Sequence, residues 1–243
     1  MTIQLAWVGT AAVLAADDGA AAARAIHDAI NQQRQRAGLR PLVIDQGLAV
    51  IAERHSEDML RRRFHGHVNP DGRDSGDRIA HQHRRFAGTS GENIASFSVR
   101  RDLTARDAAV QFVQGWMSSP GHRRNILLRE WNVTGVGVVR DKGEWRATQL
   151  FGELRATLNE RLPEQVRGKL PDIKVKAAKD PAPTQVDLAD ARSGERVWGP
   201  APLRGGDRRL PGGLGPRALM LRFYVPVGRG RWSIYPGPSV RIR

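Results

Sequence analysis

The sequence contains no cysteine among its 243 residues. Disulfide-stapled folds, thiolate metal sites and cysteine nucleophiles are therefore excluded. It also lacks an apolar run near the roughly 20 residues that a membrane-spanning helix needs, so we expect no membrane span. Aromatic residues are few, at 6%, and no recognised nucleic-acid motif occurs, so we expect no specific nucleic-acid partner.

The composition that is present is globular and strongly basic. Hydrophobic residues make up 40% of the chain and charged residues 26%, which excludes wholesale disorder. The formal net charge is +14, and residues 160–243 hold 17 Lys and Arg against 8 Asp and Glu, a net charge of +9. Such a balance favours an anionic neighbour. We expect an anionic envelope surface, a lipid or a cell-wall component as partner.

The N-terminal segment is apolar and built of small residues. Residues 3–16 contain Val13-Leu14-Ala15 before Asp17 and Asp18 open polar sequence, as a signal peptidase site requires. Residues 1–16 are thus predicted to be a signal peptide or apolar leader, which places the protein outside the cell or in the cell envelope. The segment has no Lys or Arg at its start, and the alternative is a lead-in to the first helix.

Hydrophobic spacing divides the rest of the chain into helical and extended parts. Helices are predicted over residues 21–37 and 45–63, and a third opens at Thr104 with Asp107 as its capping partner. Residues 64–90 show little periodicity and predict a long functional loop. Alternation over 133–151 around Asp141-Lys142-Gly143 predicts a β-hairpin.

The C-terminal part changes composition. Four prolines space out a Lys-rich stretch, which predicts a linker over residues 159–185. Short alternating segments over 186–188, 219–227 and 232–242 predict a small β-rich, basic region over 186–243.

Histidines supply the residues with most chemistry. Six of the seven lie between His55 and His122, in a stretch that also holds Glu92. Histidines with a carboxylate make a zinc or copper site conceivable without thiols. The His65/His67 and His81/His83 pairs could each chelate, although polar loops also carry solvent-exposed histidines. His55 falls on the apolar stripe of the second helix, which favours a buried structural role.

Four segments, in order, resemble one family. They are NQQR with GLRPL in residues 31–42, AERHSEDM in 52–59 leading to Phe64 and His67, GENIA in 91–95, and WMSSPGHRRNIL in 116–127. This order and spacing resemble the CAP superfamily of cysteine-rich secretory, antigen 5 and pathogenesis-related 1 proteins, in its cysteine-free bacterial branch of SCP-like extracellular proteins. The resemblance covers roughly residues 24 to 153, and we place the domain at residues 20–158.

The resemblance implies a fold and a site. The fold is α+β, a three-layer α-β-α sandwich, with the C-terminal region as an appendage. The family's cleft carries two His and two acidic residues, which map to His67, Glu92 and His122, while Ser119 stands at the second acidic position. His67, Glu92 and His122 are the implied ligands of a divalent metal, zinc. The cleft set further includes His55 and Asn93.

The resemblance also favours one candidate function over another. It implies a secreted or envelope-associated binding module for a lipid, an envelope polymer or a protein, and no catalytic residue is assigned. The alternative is a zinc-dependent hydrolase using His67, Glu92 and His122. The missing second carboxylate weakens it, because general acid–base chemistry lacks its second group. A scaffolding role for the trio stays open.

Overall fold

The computed structural model describes residues 9–100, 102–205 and 208–243, with side chains from Asp18 onward. The predicted leader, residues 1–16, therefore lies outside the residues whose side chains are described. Among the described residues, no helix combines the length and the apolar character that crossing a membrane requires.

Five helices and ten strands make up the described chain. The helices are α1 Gly9–Arg36, α2 Gln46–Arg61, α3 Ser75–Gln82, α4 Ala105–Ser118 and α5 Pro120–Ile126. The strands are β1 Val43–Ile44, β2 Phe86–Ser98, β3 Val133–Asp141, β4 Glu144–Leu158, β5 Gln165–Val166, β6 Val175–Ala177, β7 Gln185–Asp190, β8 Arg196–Pro202, β9 Ala218–Gly228 and β10 Arg231–Ile242.

Local signals explain where most of these elements begin. Helix α2 starts after Asp45, whose carboxylate accepts the Leu48 N–H at 2.9 Å. Helix α4 starts after Thr104, whose hydroxyl accepts the Asp107 N–H at 3.1 Å, as predicted. The hairpin of β3 and β4 is likewise confirmed, because alternation and a turn are both local features.

The predicted loop over residues 64–90 is wrong in its second half. Asp74 and Asp77 form a capping box that starts α3, and β2 begins at Phe86. Strand β2 then runs through Glu92 and Asn93. The error arose because residues 88–93 are all polar or glycine, so this part of β2 shows no apolar–polar alternation.

The chain forms two compact units. The first contains the residues up to Arg73 together with Gly91–Phe151, and the second contains Asp74–Ser90 and Gly152–Arg243. Strands β2 and β4 pass from one unit to the other. The family boundary of 20–158 and the boundary of the C-terminal region at 186 remain predictions.

The first unit has helices on both faces of its sheet. The sheet order is β1-β3-β4-β2, with β1 parallel to β3. Gly135 and Gly137 face α2 so closely that a Cβ on Gly137 would lie 2.0 Å from the Glu53 backbone N. Val138, on the opposite face, packs with α1 and α4. This arrangement confirms the predicted α-β-α order, with a core that includes Ala22, Ile26, Ile30, Phe112, Trp116, Trp145 and Phe151.

The second unit has its own sheet and core. The sheet order is β5-β10-β9-β7-β8, so the predicted C-terminal strands are confirmed. Residues 159–185, predicted as a linker, contribute Leu162, Val166, Leu170 and Ile173 to the core of this unit. These four side chains pack in the core because they are apolar, whereas the prolines and lysines between them stay exposed.

Candidate functional site

The site is centred on a histidine–carboxylate pair in the first unit. His67 Nδ1 lies 2.8 Å from Glu92 Oε1. The Glu92 side chain is 2% exposed, whereas that of His67 is 54% exposed. Because an ionised carboxylate only accepts, His67 donates through Nδ1, and the bond fixes the tautomer and orientation of an exposed ring.

His122 lies close to the histidines of the 64–67 segment. Burial lowers the pKa of His122, and the nearby charges of His67 and then His65 lower it further. Burial is the largest cause of this shift.

His65 is a member of this group that sequence reasoning did not select. Burial lowers its pKa first, followed by the charges of Arg146 and His67. Arg146 lies on β4 and pairs with Glu144. The first unit therefore brings three imidazoles, one buried carboxylate and one guanidinium together. The sequence marks His65 only as one half of a His-Gly-His pair and does not mark Arg146, because the place of each in the site depends on long-range contacts.

Two asparagines fix the backbone that carries Glu92 and His122. Asn93 is fully buried and its amide donates to the His122 carbonyl at 3.1 Å. Asn125 donates to Asn93 Oδ1 at 3.0 Å and to the Glu92 carbonyl at 3.1 Å. These three bonds tie α5 to β2, so Asn93 positions the site from within the core. Asn125 was part of the quoted motif but had been given no role.

The far end of α5 is held by a buried arginine. Arg34 is completely buried, and its guanidinium donates to the carbonyls of Ile126 at 2.7 Å and Leu128 at 2.9 Å. A further bond reaches the Arg40 carbonyl at 2.9 Å. Carbonyls at a helix C-terminus have no intrahelical donor. Arg34 supplies donors to them and so fixes the orientation of α5.

His55 supports the site from behind. It is 1% exposed, its Nε2 lies 3.1 Å from the Gly66 carbonyl, and its ring meets the edge of Phe64 at 5.8 Å. A carbonyl only accepts, so Nε2 carries the proton. His55 therefore holds the segment that presents His67, in agreement with the buried role that its spacing indicated.

Ser119 and the His81/His83 pair are the other residues that the sequence singles out. Ser119 is half-buried at the N-cap of α5 and makes no side-chain capping bond. It brings no carboxylate to the site. His81 and His83 belong to the second unit, where the His83 ring packs 5.4 Å from Phe86.

The fit of the trio to zinc can be judged from its geometry. Within the part of the chain that the structure describes, no three His, Cys, Asp or Glu side chains are grouped so that they could hold one ion. Glu92 acts instead as the acceptor that orients His67, the position that carboxylates take behind metal-binding histidines. Zinc binding by His67, Glu92 and His122 stays a prediction.

Comparison with known proteins agrees with the motif order. Residues 27–151 match the family model described as CAP, the cysteine-rich secretory protein family. The chain belongs to this family. The match covers more than half of the chain, and the absence of cysteine together with bacterial relatives agrees with the cysteine-free bacterial branch of CAP proteins.

Two relatives come from Bacillus subtilis (strain 168). Over 121 residues the chain is 34% identical to YkwD, named an uncharacterized protein, covering 50% of this chain and 43% of YkwD. Over 115 residues it is 36% identical to YlbC, named an uncharacterized membrane protein, covering 47% of this chain and 31% of YlbC. The chain thus spans less than half the length of either relative.

Several solved structures are also similar to the chain. One of them is an extracellular protein containing a SCP domain from Bacillus anthracis str. Ames, 30% identical with a TM-score of 0.48. The similarity covers 62% of this chain and 45% of that one.

Proposed function

We propose that this CAP protein is a secreted or envelope-associated binding module that takes up a ligand at the His67–Glu92–His122 cleft. The observation that carries the proposal is the 2.8 Å bond from the exposed His67 ring to the buried Glu92 carboxylate. It presents an oriented imidazole at the surface without using the ring's other nitrogen for that bond. Oriented polar groups of this kind give binding sites their specificity.

The asparagine network supports the same function. The buried Asn93 and the half-buried Asn125 tie the backbone of Glu92 to that of His122, so these groups are held in place before a ligand arrives. A preorganised site loses less conformational entropy on binding. Ligands that fit are an envelope lipid, a cell-wall polymer or a protein segment with groups that accept from or donate to imidazole.

The side chains of the cleft favour binding over hydrolysis. Glu92 is its one carboxylate among the described site residues and is already engaged with His67. Ser119 occupies the place of the second acid. General acid–base hydrolysis by two carboxylates therefore has no basis in this set.

A soluble-ligand titration tests the cleft. The full chain, labelled with 15N, is titrated with dihexanoylphosphatidylglycerol below its micelle concentration and with an N-acetylglucosamine tetramer. We expect one probe to shift the side-chain amide signals of Asn93 and Asn125 saturably. Glu92→Gln should weaken that binding about tenfold, since a charged acceptor is lost, while the exposed Glu57→Gln leaves it unchanged. Shifts confined to other regions, or none, contradict the proposal.

Zinc-dependent hydrolysis is the second candidate, and the orienting bond of Glu92 to His67 is what favours it. If bound, zinc would be held by His67 and His122 with Glu92 beside them, and it would activate a water. Calorimetric titration of the full chain with zinc chloride tests this. The candidate predicts one ion per chain, lost in His122→Ala and kept in His81→Ala. An absence of saturable heat in the unsubstituted chain dismisses it.

A further inference from the structure

The hairpin of β9 and β10 ends in an unusual turn, which we define as the hairpin tip, residues 226–234. Trp232 pairs with Pro226 and Ile234 with Tyr224 across the two strands. Gly228, Arg229 and Gly230 all have positive φ, at 97°, 49° and 72°. The turn therefore closes tightly and presents the Arg229 side chain at its outer end, where it is exposed.

Large apolar side chains are exposed at this tip. Val227 is 50% exposed, Trp232 42% and Ile234 47%. Trp232 and Ile234 are two residues apart, so they share one face of β10. The core of the second unit takes Phe223 and Val225 from the opposite face of β9. Val227 lies by alternation on the other face of the hairpin, but next to the turn, so the tip exposes large apolar residues on both faces. Such a group marks a contact surface better than an isolated residue does.

The tip is also positively charged, with nothing nearby in sequence to neutralise it. Arg229 and Arg231 are both exposed, and neither makes an ion pair with any residue in the described ranges. Residues 208–243 contain eight arginines and no Asp or Glu. Any partner of the tip must therefore offer both anionic groups and an apolar layer.

We propose that the hairpin tip docks into the interface of an anionic phospholipid bilayer. Trp232 and Ile234 enter the boundary between headgroups and acyl chains, and Arg229 and Arg231 contact lipid phosphates. Tryptophan favours this boundary because its ring is amphipathic, and arginines near it gain from the negative surface potential. The inference rests on the envelope association of the proposed function and names the surface that provides it.

The side chains of the tip favour lipid over a sugar polymer. Between residues 226 and 234 there is no Asn, Gln, Asp or Glu, the groups that commonly bond to sugar hydroxyls. Ser233 has the one hydroxyl in this stretch, and alternation places it on the face opposite to Trp232 and Ile234. Val227 and Ile234 gain from a hydrocarbon layer and gain little from a hydrated polymer.

Co-sedimentation with vesicles tests the proposal on the full chain. Vesicles contain either phosphatidylcholine alone or phosphatidylcholine with 30 mol% phosphatidylglycerol, about the anionic content needed for a strong surface potential. We expect binding to the anionic vesicles at least tenfold stronger than to neutral ones. Trp232→Ala with Ile234→Ser should lower it at least tenfold. Arg229→Gln with Arg231→Gln should lower it about twenty-fivefold, which is about fivefold for each charge.

Matched controls remove equivalent groups from the first unit. Val50 and Val110 are 43% and 45% exposed, so changing both to Ser removes similar apolar area, and Arg63→Gln with Arg106→Gln removes two charges. Both controls should bind within about threefold of the unsubstituted chain. Urea unfolding of each variant confirms that the fold is retained, because every substituted side chain is exposed.

A second readout does not depend on affinity. Brominated acyl chains quench tryptophan emission at the bilayer boundary, and Trp232→Phe should keep binding but lose most of the quenching. Quenching equal to that of the unsubstituted chain overturns the proposal, as does unchanged binding of the Trp232/Ile234 variant. Retention on heparin without vesicle binding overturns the lipid inference alone. Loss of both also overturns the envelope association on which it rests.

Discussion

At the scale of single residues, Asn93 shows how the site is supported. Its amide is fully buried and bonds at both ends, donating to the His122 carbonyl and accepting from Asn125. The two bonds join β2, which carries Glu92, to α5, which carries His122. The site therefore depends on a residue that is not exposed to any ligand.

Replacing this amide tests its role. Asn93→Ala leaves the His122 carbonyl and the Asn125 amide without their partner in a buried region, so the free energy of unfolding should fall by about 2–3 kcal/mol. Urea unfolding of the full chain measures the change. The exposed Asn159→Ala is the matched control and should change stability by less than about 0.5 kcal/mol. Equal losses for both variants would show that the network does not stabilise the site.

The site residues divide by how they were found. His67, Glu92 and His122 were named in advance because three short motifs carry them. His65 and Arg146 were missed, since nothing in a His-Gly-His or in an alternating strand says which long-range neighbours the fold supplies. A short motif can identify a residue, but only the fold identifies what surrounds it.

At the scale of elements, the contact between α2 and β3 sets the layers of the first unit. Gly135 and Gly137 let the helix backbone approach the strand, because a Cβ at either position would lie within 2.1 Å of α2 backbone atoms. No side chain could adjust to relieve such a clash. Two glycines at alternate positions of a strand are thus the condition for the whole layer to pack.

A pair of glycine substitutions tests this contact. Gly137→Ala should lower the free energy of unfolding by about 3 kcal/mol or more, since α2 must move away from β3. Gly115→Ala, in α4, meets no other atom within 4 Å and should raise stability by up to about 1 kcal/mol through helix propensity. Opposite signs in thermal or urea unfolding are expected. A stable Gly137→Ala would contradict the packing described.

Elements with local signals were predictable, and those without were not. The caps at Asp45 and Thr104 and the turn between β3 and β4 are written in neighbouring residues. Helix α3 has a capping box as well, but its eight residues lie in a stretch rich in Gly, Arg and His that masks periodicity. Strand β2 is stabilised by pairing to β4, a partner some 60 residues away that the local sequence does not reveal.

At the scale of the whole molecule, charge is distributed unevenly along the sequence. Residues 160–243 carry a net charge of +9 out of the total of +14. Retention on a polyanion should therefore depend more on exposed arginines of this region than on those of the first unit. This expectation concerns electrostatics alone and holds whatever the ligand of the cleft is.

Heparin chromatography of two matched triple variants measures it. The triple variant in the C-terminal region should elute at a clearly lower sodium chloride concentration than the unsubstituted chain. The triple variant in the first unit should shift the elution less, because the positive charges there are more dispersed and salt screens dispersed charges first. Equal elution of both variants would contradict a role for the C-terminal region. The sets, each changed to Gln, are Arg167, Arg192 and Arg217 against Arg36, Arg63 and Arg106.

The pKa of His122 in solution tests whether His67, Glu92 and His122 form one site. Its ring signals are followed by NMR against pH in the full chain, in His67→Gln and in the control His81→Gln. Burial and the neighbouring histidines lower this pKa from the ordinary 6.5. Hence, as pH falls, the His122 ring takes up a proton at a higher pH in the unfolded chain than in the folded one. His122 therefore lowers the free energy of unfolding progressively below about pH 6.5.

We expect a His122 pKa below 6.5 that rises in His67→Gln yet stays below that value, because burial is the larger cause. The control should leave it unchanged. A His122 that titrates at or above 6.5, or one that does not respond to His67→Gln, would contradict the site.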